Sequence, residues 1–108
     1  MESATTFQFA RAARALAGEA RRLGLVPPSF RCPPRLSGVN RTLRRRGSSV
    51  VVAVRLRGRP WVAVLGDLVE GIVVANGLVG AEADRIRAAL WCAAQGEVTP
   101  LVPVPKVA

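Results

Sequence analysis

The chain has 108 residues, half of them hydrophobic, with 16 Lys plus Arg against 7 Asp plus Glu, no His and no Tyr. Without an imidazole, Ser-His-Asp and Cys-His catalysis, histidine proton shuttling and the usual His-containing zinc sites are excluded. The length suits one small domain over residues 1–97, and the apolar content is too high for a disordered chain.

The first predicted element is a helix over Thr5 to Leu23. Phe9, Ala13, Leu16, Ala20 and Leu23 recur at steps of four and three, with Arg11, Arg14, Arg21 and Arg22 on the opposite side. Thr5 and Gln8 have capping-box spacing, and Gly24, Leu25 and Pro27 supply the stop. Residues 26–37 follow as a stiff connector held extended by Pro27, Pro28, Pro33 and Pro34, with Phe30 as its anchor onto the core.

Ser48 to Leu65 carries the strongest strand signal. Val50, Val52, Val54 and Leu56 alternate with Val51, Ala53, Arg55 and Arg57, and a second β-rich run starts at Trp61. With Gly58 and Arg59 as a type II′ turn, this predicts a hairpin in which Leu56 faces Trp61, Val54 faces Ala63 and Val52 faces Leu65. Arg41 to Arg46, ahead of a turn at Gly47, is expected as a third, charged edge strand.

For Asp67 to Leu78 a short helix is favoured over a strand, because Asp67 and Glu70 have capping-box spacing and Asn76-Gly77 resembles a helix stop. Ala83, Ile86, Leu90 and Ala93 mark a further helix over Ala81 to Gln95, with Trp91 at the edge of its buried stripe. Residues 98–108, with Pro100, Pro103 and Pro105, are expected to form an extended tail. The predicted fold is α+β: a short antiparallel hairpin or three-stranded meander packed against an N-terminal and a C-terminal amphipathic helix.

Cys32 and Cys92 lie 60 positions apart with no second thiol near either, so neither a metal site nor a dithiol redox motif is indicated. The start lacks a basic stretch followed by an apolar run, and the longest uncharged stretch of the central apolar region, Gly71 to Ala81, is short of the roughly 20 residues of a membrane span. A cytoplasmic protein with free thiols and no membrane partner is the expectation.

Charge is the most informative feature. Residues 31–59 hold Arg31, Arg35, Arg41, Arg44, Arg45, Arg46, Arg55, Arg57 and Arg59 and no acid, and so equal the net charge of +9, while the thirty residues before them sum to +2 and those after to −2. Fifteen of the sixteen basic residues are Arg, in a composition rich in Ala, Val, Gly and Leu that a GC-rich genome would produce, but such a bias scatters Arg and does not segregate it. A polyanion relieves repulsion within the segment and releases its own counterions on binding. Non-enzymatic binding of nucleic acid, DNA or RNA, is therefore expected, with Arg41, Arg44, Arg45, Arg46, Arg55, Arg57 and Arg59 contacting phosphate and carrying little sequence information. The alternatives are a protein-interaction module, as a monomer or a homo-oligomer, whose Arg surface meets an acidic partner, and a solvated edge that discourages strand pairing.

Sharper motifs fall short. Arg57, Gly58, Trp61 and Val62 match part of the RNP1 pattern of RNA recognition motifs, but Arg59, Pro60 and Val64 stand where it asks for other residue types. The last helix begins with Glu82 and Asp84, which would repel phosphate and argue against both a double-stranded RNA-binding domain and a helix-turn-helix built on Asp67 to Gln95. Asp67 and Glu70 on one helix face could hold Mg²⁺ for a nuclease, yet helix capping accounts for both. There is no Gly-rich phosphate loop and no nucleotide fingerprint, so no cofactor is expected.

Overall fold

A computed structural model describes residues 6–33 and 38–94. Within it run α1 (Thr6–Arg22), β1 (Ser29–Arg31), β2 (Arg41–Arg46), β3 (Ser49–Val54), α2 (Trp61–Ala75) and α3 (Gly80–Ala93). The expected cap at Thr5 and the tail 98–108 lie outside the described residues, as do positions 34–37 of the connector.

Helix α1 follows its apolar stripe closely. Phe9, Ala12, Leu16 and Ala20 are buried, while Ala13 and Leu23 are half-buried at the margin, and Arg11, Arg14, Arg21 and Arg22 are exposed. Its end is a Schellman motif: Gly24 sits at φ +79°, Leu25 N–H donates to the Ala20 carbonyl at 2.9 Å and Gly24 N–H to that of Arg21 at 3.0 Å. The same device ends α2, where Gly77 sits at φ +65° and Leu78 N–H donates to the Val73 carbonyl at 3.1 Å.

The sheet has strand order β1-β3-β2, with β3 central. Residues 41–46 pair antiparallel with 49–54, as the edge-strand reading expected, around a two-residue turn in which Gly47 alone takes positive φ (+58°), the pattern of a type II′ turn. The connector contributes β1, which pairs in parallel with Val51 to Ala53, so the sheet is mixed and not an antiparallel meander.

The predicted pairing of 50–56 with 61–65 does not occur, because Trp61 opens a 15-residue helix. Trp61, Val64, Leu65, Leu68, Val69, Ile72 and Val73 are all buried, a 3.6-residue stripe that runs through both the expected strand and the expected short helix. Pro60, which has no N–H to leave unpaired, stands at the N-cap. The β-branched valines suit a strand locally, but burial along four turns outweighs a preference worth at most about 1 kcal/mol per residue. Asp67 and Glu70 consequently sit within the helix and cap nothing.

Helix α2 also takes the place foreseen for the terminal helices. It packs on β2 and β3, whereas α1 and α3 pack on α2 and on each other. Gly71 is the point of closest approach: a Cβ there would lie 3.0 Å from both Phe30 Cε1 and Val52 Cγ1. The Phe30 ring, the anticipated anchor, also meets Phe9 edge-on at 6.5 Å between centroids. Helix α3 closes the core with Ala83, Ile86 and Leu90, followed by Ala94 where Ala93 was expected. Among the described residues, no helix is long and apolar enough to cross a membrane.

Candidate nucleic-acid interface

Strand alternation divides the central arginines between two faces. On the inner face Arg41, Leu43 and Arg45 alternate along β2, opposite Val54, Val52 and Val50 of β3. On the outer face Thr42, Arg44 and Arg46 lie opposite Ala53, Val51 and Ser49, and Arg31 of β1 joins them from the other side of Ala53. Arg31, Thr42, Arg44, Arg46, Val51 and Ala53 line a single open concavity. Three guanidinium groups thus stand around a small apolar floor.

Two of the expected phosphate contacts, Arg41 and Arg59, are engaged within the fold by one shared carboxylate. Asp67 of α2 accepts a hydrogen bond from Arg41 Nη1 at 2.9 Å and forms an ion pair with Arg59 Nη2 at 2.5 Å. Arg59 is only 8% exposed, and its Nη1 also donates to the Arg55 carbonyl at 2.8 Å. Arg55 is half-buried, with Nε covered by protein. Arg41 and Arg59 therefore hold the hairpin base and the loop before α2 onto that helix, and Asp67 brings together two arginines 18 positions apart.

Arg31, Arg44, Arg45, Arg46 and Arg57 are exposed, and no described carboxylate forms an ion pair with any of them. The other ion-paired acids are occupied elsewhere. Glu70 accepts from Arg87 Nε at 2.7 Å, and Asp84 from Arg87 Nη1 at 2.9 Å; the Glu70 hydrogen bond is the main cause raising the Arg87 pKa. Glu19 pairs with Arg22, whose hydrogen bond holds its carboxyl below the ordinary value. Asp67 and Glu70 thus serve different partners, one toward the sheet and one toward α3.

Arg31 was counted in the basic segment but not placed in the site. The alternation of Ser29, Phe30 and Arg31, with Phe30 inward, is the signal that would have found it. Helices α2 and α3 form a hairpin about Asn76-Gly77, but Glu82 and Asp84 are exposed at the start of α3, where a recognition helix would meet phosphate. No known protein family, curated protein or solved structure matches the chain.

Proposed function

We propose that the protein binds nucleic acid without catalysis, through the exposed arginines of the β2–β3 hairpin and Arg31 beside it. The observation that carries this reading is the segregation of Arg31, Arg44, Arg45 and Arg46 from every described ion pair, while Arg41 of the same strand and Arg59 ahead of α2 are paired. Unpaired like charges on one small sheet repel one another, and a polyanion offsets that repulsion with a gain from released counterions.

The outer face holds no aromatic side chain. Phe9 and Trp61 are buried, Phe30 points inward, and Phe7 and Trp91 belong to helices. Base stacking, the usual source of affinity for single strands, is not offered there, so phosphate contact carries the binding and sequence discrimination is weak. An acidic protein surface is the competing partner; it is favoured by the apolar floor of Val51 and Ala53 beneath the arginines.

The test is a titration of a mixed-sequence DNA duplex at several salt concentrations. Contact of about four phosphates gives a slope of log affinity against log salt near −4, and alanine at Arg44, Arg45 and Arg46 together reduces its magnitude by two to three. Absence of binding at low salt, or a slope unchanged in the triple variant, overturns the proposal.

A further inference from the structure

The end of the β2–β3 hairpin differs from the rest of the sheet in three ways. First, all six residues from Arg44 to Ser49 are exposed, whereas Arg41 to Leu43 and Val50 to Val54 are at least half-buried. Second, β1 reaches only as far as Val51, so beyond the Arg44–Val51 pair the sheet is a two-stranded ribbon. Third, arginine stands on both faces of that ribbon, Arg44 and Arg46 outward and Arg45 inward.

Each face also borders its own concavity. On the outer side lies the one formed with Arg31 and floored by Val51 and Ala53. On the inner side, Arg45, Val50 and the turn residue Ser48 line a second groove together with Pro27, Ala75 and Asn76. A sheet that lies flat on a charged surface needs cations on one face only. A ribbon inserted between two phosphate ridges needs them on both, with room on either side for a ridge.

We infer that the occupant is a B-form DNA duplex and that residues 44–49 enter its major groove, one strand's phosphates passing over Arg44 and Arg46 and the other's meeting Arg45. The inference rests on the nucleic-acid reading above and adds the class of nucleic acid and the mode of docking. The dimensions agree. Three residue steps from Arg44 to the turn at Gly47 give the tip a reach of about 10 Å, and its two strands stand about 4.8 Å apart. The major groove of B-DNA is about 8.5 Å deep and about 12 Å wide and admits such a ribbon. The major groove of A-form RNA is deep and too narrow for it. The serine hydroxyls of Ser48 and Ser49, both exposed at the leading edge, present donors and acceptors to the base edges without a bidentate preference.

The experiment compares a DNA duplex, the RNA duplex of the same sequence and the DNA single strand at equal salt, using the full chain and its R44A and R45A variants. A parallel footprint measures methylation of guanine N7, which lies in the major groove. The DNA duplex is expected to bind at least tenfold tighter than either other form. R44A and R45A each reduce the magnitude of the salt slope by about one, and the protein shields N7. Melting temperatures of both variants stay at the parent value, which separates lost contact from lost folding. Equal or tighter binding of duplex RNA or single strand, an R45A variant that binds like the parent while R44A is weakened, or unshielded N7 overturns the insertion but leaves nucleic-acid binding in place. Failure to bind any of the three, with binding to polyglutamate instead, overturns both and assigns the arginines to an acidic polypeptide.

Discussion

At the base of the β2–β3 hairpin Arg41 is tied to Asp67, and Leu43, Val52 and Val54 press onto α2. Three residues from Arg41, at the tip, Arg44, Arg45 and Arg46 meet no described carboxylate and no core. The same residue type in the same strand serves adhesion at one end and is left available at the other. What separates them is the reach of α2: its one sheet-facing carboxylate stands beside the base, and the ribbon continues past β1 toward solvent. Arginine count along a sequence is therefore a poor measure of binding capacity; the number left over after internal pairing is the relevant one.

The comparison can be broken first at the base. Asp67→Asn leaves Arg59, nearly buried, with no counter-charge, and should lower stability by about 3 kcal/mol in urea denaturation. In the fraction that stays folded, Arg41 is released and the salt slope on duplex DNA steepens by about one, so that the base begins to act like the tip. An Asp67→Asn protein as stable as the parent would show that the pairs hold nothing together.

A second change tests whether contact with α2 defines the base. Gly71→Val pushes the helix away from Phe30 and Val52 and is expected to cost about 2 kcal/mol of stability by overpacking, read from the shift in denaturation midpoint. Asn76→Ala acts at a smaller scale. The Asn76 side chain accepts from Val26 N–H at 3.0 Å and donates to the Val26 carbonyl at 2.9 Å, tying the connector to the end of α2, so its loss should cost about 1 kcal/mol and raise amide exchange around Val26. The smallest effect belongs to the tip: R44A, R45A and R46A should each move stability by no more than about 0.5 kcal/mol, although they are expected to have the largest effects on binding.

Local structure was readable wherever one periodicity operated alone. The α1 stripe, its Gly24 stop, the strand at 49–54, the charged edge strand with its Gly47 turn and the α3 stripe all follow from residue spacing. The misreading fell on Trp61 to Leu65, where β-branched residues with strand propensity occupy the first turns of a helix buried against the sheet and both other helices. Its period shows only when the segment is read on through Val73. From that one reading followed the wrong hairpin partner, the wrong cover for the sheet and a capping role for Asp67.

The sequence by itself determined the elements that local rules specify and the gathering of nine arginines into 29 consecutive residues free of acid. Tertiary structure decided which of them remain available. A strand's two faces are equivalent until something packs on one of them, and a carboxylate neutralises whichever cation the fold carries within reach. Asp67 lies 26 positions from Arg41 and 8 from Arg59, and only the docking of α2 beneath the hairpin brings all three together while leaving Arg44, Arg45 and Arg46 beyond its reach.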